Sequence, residues 1–318
     1  MAHLVAGMAS SHAFALRNPH DWDEGRTMNR KGYERKYGTL PPEHPKTAEE
    51  TDADVAERYA DISGALDHLG TEIARQSPDV LIIVGDDQNE LFFDQSPQLA
   101  IYKGGPFLVP PRDDQTEEIT YQGAPELASA ILNEAVESGI DLAFVNKFPR
   151  DLLVSHAFGP VLFRIASPAV PVIPVFVNAV NHPGPSPSRC IKLGEAIRRA
   201  VDSFPGDLRV VICGSGGLSH FTAGYPYSAG NFQYNAIDTD FDLRNVELMR
   251  EGRTGEFEQL TIRDLVDTGN IEFRSWLVML GAIGQVKPEF IVYQPFHRGL
   301  MGMGVGLWRL EQREAALA

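Results

Sequence analysis

The stretch Leu208 to His220, LRVVICGSGGLSH, limits what this chain can fold into more than any other. Leu208 and the run Val210 to Cys213 read as a strand buried on both faces, and the run ends in a glycine-rich turn that delivers Ser219 and His220. In open α/β sheets, ligands bind in the crevice beyond the carboxyl ends of the strands. A histidine placed there either takes part in chemistry or does no more than satisfy loop hydrogen bonds.

The same arrangement recurs along the chain. His3 to Met8 reads as a strand with Ser10, Ser11 and His12 just past its end. Val55, Tyr59, Ile62, Leu66, Leu69 and Ile73 recur at three and four, which predicts one buried helical stripe ending near Arg75, with Thr47 as N-cap and Glu50 completing a capping box. The strand Asp79 to Gly85 follows and runs into Asp86, Asp87, Gln88, Asn89 and Glu90. Helix followed by buried strand is a βαβ rhythm. It predicts an α/β fold: a single domain over residues 1–318, built on a mostly parallel central sheet flanked by helices.

Further strands are expected over 98–102, 140–146, 170–178 and 289–296, the last pairing with MGMGVGLWRL. Pro171 and Pro174 suggest an irregular or edge position for the third sheet strand of that set. Helices are expected over 125–138, 189–204, 240–250 and 255–266, and His156 falls where a loop enters a helix in LLVSHAFGP. Asn270 reads as the cap of a strong helix, IEFRSWLVMLGAIG, with Glu272 in its first turn. A carboxylate there is favoured by the helix dipole, and it either interacts with its own helix terminus or points into a site. The polar segment at about 20–47 has no clean periodicity; its aromatic and basic residues (Trp22, Tyr33, Tyr37, Arg35, Lys36) suit a lid-like insertion or a subunit contact.

Charge narrows the partners. A formal net charge of -15 opposes binding to a nucleic-acid backbone or an anionic membrane. Cys190 and Cys213 lack metal-type spacing and are too few for a disulfide framework, so a reducing, cytoplasmic setting is expected and both read as small buried hydrophobes. No stretch approaches the ~20 apolar residues of a membrane span.

Four groups, His12, His156, His220 and Glu272, stand at strand ends or helix starts. Two imidazoles and a carboxylate form the ligand set of a mononuclear non-haem Fe(II) site, and a further histidine can serve as general base. No P-loop, dinucleotide fingerprint or Gly-x-Ser-x-Gly elbow competes.

Three segments, MAHLVAGMASSHAFAL, VNHPGPSPSRCIKLGEAIRRAVDSFPGDLRVVICGSGGLSH and IEFRSWLVMLGAI, resemble the protocatechuate 4,5-dioxygenase beta subunit and its family, the class III extradiol ring-cleavage dioxygenases. The likeness runs in order from residue 1 to about 284. It implies Fe(II), O2 and a small catechol- or gallate-like aromatic substrate, in a homo-oligomer or paired with a small alpha subunit. It also implies His12 and Glu272 as iron ligands, His220 as the acid/base residue and His156 as a neighbour of bound substrate or oxygen. One position departs from the family: where it carries Asn-Asp-His, with the histidine on iron, this chain has Asp86-Asp87-Gln88. The GDDQNE form is similar to a branch acting on methoxylated or otherwise modified gallate-like rings. Two replacements for the missing ligand stay open, the Gln88 carbonyl oxygen and His44, held between prolines in PPEHP. A metal-dependent lyase or hydrolase on the same scaffold and a non-catalytic partner subunit are the alternative readings.

Overall fold

The computed structural model describes residues 1–13, 18–40, 43, 45–92, 94–110, 118–148, 153–220 and 237–310. In chain order the elements are β1 (His3–Ser10), α1 (Trp22–Tyr37), α2 (Pro45–Glu49), α3 (Asp52–Gln76), β2 (Val80–Gly85), β3 (Leu99–Tyr102), β4 (Phe107–Val109) and β5 (Ile119–Tyr121). There follow α4 (Pro125–Glu137), β6 (Ala143–Val145), α5 (Gly159–Ile165), β7 (Val172–Val177), α6 (Pro187–Ser203) and β8 (Arg209–Ser215). The remaining elements are α7 (Thr239–Glu251), α8 (Ile262–Asp267), α9 (Phe273–Ile283), β9 (Phe290–Phe296) and β10 (Met301–Arg309). No helix among the described residues is long and apolar enough to cross a membrane.

Eight strands make one sheet in the order β6-β3-β7-β2-β8-β1-β10-β9. Its centre, β7-β2-β8-β1, is parallel, as the βαβ rhythm predicts, while β10 and β9 extend it antiparallel beyond β1. Alternation along each central strand divides the core. Val80, Ile82 and Val84 pack on the face covered by α4, α6, α7 and α9, whereas Leu81 and Ile83 pack on the face covered by α3 and α5. Cys190 and Cys213 are buried within these two cores, and burial pushes both thiols up to about 12.

The packing of α6 against α9 depends on two glycines. A Cβ on Gly194 would lie 2.0 Å from the Val278 carbonyl oxygen, and one on Gly281 would lie 2.2 Å from that of Ile191. Their bare backbones let the helices touch, which sets the depth of α9 against the sheet.

Several sequence expectations are corrected. The N-cap of α3 is Thr51, whose hydroxyl accepts from Asp54 N while the Asp54 carboxylate accepts from Thr51 N. Thr47 and Glu50 have the same spacing, but both are drawn to the β9–β10 turn: Thr47 Oγ1 donates to the His297 carbonyl, and Glu50 accepts from the amides of His297 and Arg298. The proline-bearing strand β7 lies inside the sheet. Leu81 N donates to Pro171 O, so the absent N–H of Pro174 falls on the β3 side, where pairing stops at Ile101–Val175. The expected helix over 255–266 is a 3-10 turn, Thr254–Gln259, followed by α8 with its own Thr261–Asp264 capping box. Asn270 precedes α9 by more than a cap; Glu272 itself occupies the N-cap position.

The polar segment without periodicity contains α1, a helix fastened by anchors and not by an apolar stripe. Trp22 is fully buried edge-on to Phe296, and Arg298 in the β9–β10 turn pairs with Asp23 at 2.8 Å.

Candidate metal centre

Adjacent strands β2, β8 and β1 bring their carboxyl ends to one place, and the pairing of Ser10 with Ser215 puts His12 and Gly217 equally far beyond the sheet. Glu272 reaches the same point from the start of α9. The glycine turn after β8 makes this approach possible, because a Cβ on Gly216 would lie 2.6 Å from the Glu272 carbonyl oxygen. One on Gly217 would lie 2.5 Å from His220 Nδ1, so the imidazole folds back over bare backbone.

Glu272 is the hub. Its Oε1 accepts from Gln88 Nε2 at 2.8 Å and lies 3.0 Å from His220 Nε2. Its Oε2 accepts from Gly217 N at 2.8 Å and lies 3.3 Å from His12 Nε2. Burial opposes the charge on Glu272, but His220 and His12 beside it hold the carboxyl well below the usual range. The effect is mutual. Burial pulls His220 down, yet the Glu272 carboxylate and the Leu218 carbonyl, which accepts from Nδ1 at 2.9 Å, raise it to about 9.

His12 is oriented from behind. Its Nδ1 lies 3.2 Å from Ser215 Oγ, whose own proton goes to the Ala157 carbonyl. Nδ1 is therefore the N–H donor, and Nε2 presents a lone pair to the site. Burial lowers His12 to about 4 in spite of Glu272, which keeps this ring neutral. The lone pair faces Glu272 Oε2 and, at 3.8 Å, Asp86 Oδ1.

Asp86 is 0% exposed, and neither carboxylate oxygen has a hydrogen-bond partner among the described residues. Burial, then the charge on Glu272, pushes it well above the usual carboxylate range. His12, Asp86 and Glu272 each offer one ligand atom, all within 4.8 Å of one another. The His12 lone pair and two carboxylates converge on one buried point, and a cation there would take the place of the proton that burial favours on Asp86, so the donor set suits a metal ion.

The outer members come from the same loops. His156 packs edge-on to His12 with ring centroids 5.2 Å apart. Glu90 holds it at two atoms, accepting from His156 N at 2.8 Å and contacting Nδ1. Below the turn that carries His220, buried Asp242 accepts from Ser219 Oγ at 2.6 Å, Tyr293 Oη at 2.7 Å and Asn270 Nδ2 at 3.0 Å. One carboxylate thus ties the His220 turn to the segment leading into Glu272.

The family model for the catalytic LigB subunit of aromatic ring-opening dioxygenase matches residues 42–307. The chain belongs to the LigB family. Members with similar sequences include a 2,3-dihydroxyphenylpropionate/2,3-dihydroxicinnamic acid 1,2-dioxygenase of Rhodococcus sp, 25% identical over 77% of this chain and 89% of that one. The enzyme of the same description from Rhodococcus jostii is 33% identical over 77% of this chain and 90% of that one. A gallate dioxygenase of Pseudomonas putida is 29% identical over 55% of this chain and 50% of its own length. The resemblance to extradiol ring-cleavage dioxygenases is thereby established, and with it the enzyme class.

Of the residues singled out from sequence, His12, His220 and Glu272 meet within hydrogen-bonding reach, and His156 borders them. Gln88 is also present, but it turns its amide nitrogen to Glu272. His44 lies outside the described residues. Sequence reasoning passed over Asp86, Glu90 and Asp242. The first two sit in the GDDQNE loop already singled out beside a strand end, which is the signal that could have found them, whereas Asp242 has none, being one acid among several on α7.

Proposed function

We propose that this LigB-family chain opens the ring of a catechol- or gallate-like aromatic with O2, next to the diol, using Fe(II). The observation that carries this reading is the convergence of His12, His220 and Glu272 beyond the ends of neighbouring parallel strands. His12 Nε2 and the Glu272 carboxylate would hold the iron together with a third donor. Bound there, Fe(II) would offer open coordination positions to diol oxygens and O2 and carry the electron exchange between them.

The chain's own groups supply the rest. His220 has Nδ1 committed to the Leu218 carbonyl and Nε2 beside Glu272 Oε1; with that carboxylate engaged by a metal, Nε2 would be the atom free to take a proton from a substrate hydroxyl and later return one. Gln88 and Gly217 donate to Glu272 and orient its carboxylate. Ser215 aligns His12, and His156, with its side chain 43% exposed, stands at the mouth where a substrate oxygen or charged substituent would enter. The segment around 20–47 is read as a lid-like or subunit-contact wall of a single catalytic domain. Assembly as a homo-oligomer, or with a small alpha subunit, in the cytoplasm completes the proposal.

Oxygen uptake by anaerobically Fe(II)-loaded protein, against a panel of catechols and gallates, tests it. Consumption of O2 with both atoms of isotope-labelled O2 in a ring-opened product is expected. Turnover without O2 would point to a metal-dependent lyase or hydrolase, and inactivity of iron-loaded protein on every substrate to a non-catalytic partner subunit.

A further inference from the structure

We propose that Asp86 is the third protein ligand of the metal centre, making it a site of one imidazole and two carboxylates, and that Gln88 is a hydrogen-bond donor to Glu272 and not a ligand. This rests on the reading of the chain as a metal-dependent ring-opening dioxygenase.

Asp86 is the anomaly among the buried acids of the described residues. Glu72 pairs with Arg75, Glu50 with Arg58, Asp87 accepts the amides of Leu91 and Phe92, Asp242 has several donors, and Glu272 has Gln88 and Gly217. Both oxygens of Asp86 lack any hydrogen-bond donor, although its residue is held rigidly, its carbonyl accepting from Ser155 Oγ at 2.8 Å. A buried carboxylate without donors is destabilising unless it takes up a proton or coordinates a cation, and the neighbouring His12 lone pair and Glu272 carboxylate favour the cation. The side chain faces the lone-pair side of His12, and its ligand atom falls within the same 4.8 Å cluster as Glu272.

The contact Gln88 makes with Glu272 is that of a donor: its amide nitrogen lies 2.8 Å from Glu272 Oε1, so the oxygen a metal would need is the other atom of the amide. Two carboxylates also balance a divalent cation, whereas one carboxylate and two neutral imidazoles would leave a net positive charge in a buried site. Oxygen donors shift the preference toward harder cations such as Mn(II) and Fe(II).

The test titrates metal-free full-length chain with Mn(II) by calorimetry and records the thermal midpoint of the metal-free protein. Wild type, Asp86→Asn, Asp86→Ala, Gln88→Ala and His44→Ala are compared. Both Asp86 variants are expected to bind Mn(II) more than about 100-fold more weakly, beyond the ~10–100-fold loss that follows removal of a ligand's hydrogen-bond partner. Gln88→Ala is expected to stay within that range and His44→Ala to bind as wild type. The metal-free midpoints of the Asp86 variants should be no lower than that of wild type, since the side chain has no donor to lose. Near-wild-type affinity in both Asp86 variants, a metal-free folding defect in them, or loss of binding confined to Gln88→Ala or His44→Ala overturns the assignment while leaving the metal-dependent reading intact. A wild-type chain that binds neither Mn(II) nor Fe(II) overturns both.

Discussion

Gln88 Nε2 donates to Glu272 Oε1 at 2.8 Å, joining the loop after β2 to the first residue before α9. The same oxygen lies 3.0 Å from His220 Nε2, so one carboxylate atom is shared between an amide from one loop and an imidazole from another. Gln88 therefore contributes to this cluster by orienting the Glu272 carboxylate.

Glu272→Gln should retain the fold and lose bound metal. The amide sets an NH2 where one of the Gln88, His220 or Gly217 donors now points, an unmet contact worth about 1–3 kcal/mol. Elemental analysis after iron loading, with thermal unfolding alongside, checks this; full metal occupancy would remove Glu272 from the ligand set.

His220→Ala should keep the metal and lose about 10²–10⁴-fold in kcat, the contribution usual for a general acid/base group. Metal content and steady-state rates measured on one preparation decide it. Loss of metal would instead make His220 a ligand.

Replacing Glu90 by Gln should lower the titration midpoint of His156. Burial alone depresses this imidazole, and the Glu90 contact raises it to about 9. A raised folded-state value means that the pair's stabilisation is complete below the unfolded midpoint near 6.5 and is lost as pH rises through about 9. NMR titration of the metal-free chain gives both midpoints, and an unchanged value in Glu90→Gln would refute the clamp.

Asp242→Ala should destabilise the fold by about 3 kcal/mol or more, because it strips acceptors from Ser219, Tyr293 and Asn270 in a buried setting. Chemical denaturation measures the loss. A change under about 0.5 kcal/mol, typical of surface sites, would mean that these donors find other partners.

Gly194→Ala should cost about 1–3 kcal/mol by overpacking, since its Cβ has backbone and no flexible side chain to displace at Val278. Loss of metal affinity in the same variant is expected, because α9 carries Glu272 at its start. A stable variant with normal affinity would show that the helix can shift without moving the carboxylate.

What could be read from the chain alone was whatever sits next to an element boundary. The strands β1, β2 and β8 are uninterrupted apolar runs, so His12 and His220 were placed by counting past their ends, and Glu272 by its nearness to a helix start. The GDDQNE loop marked the place, but nothing local separates Asp86 from Asp87 within it. Only the folded loop shows that Asp87 turns back onto the amides of Leu91 and Phe92 while Asp86 faces His12. Thr47 misled for a related reason: two consecutive cap signals, Thr47–Glu50 and Thr51–Asp54, are decided by contacts from the β9–β10 turn, more than two hundred positions away.

The strand that carries His12 is flanked by β8 on one side and β10 on the other. During synthesis, β1 leaves the ribosome first and must wait for residues 209–215, then 301–309, before both of its edges are covered. Until then it exposes an apolar edge of the kind that invites wrong pairing, in a topology whose distant contacts make closure slow. The end of the sheet that carries His12 is thus completed late in synthesis, and a nascent chain arrested before residue 301 would hold His12 on a strand with only its β8 edge covered.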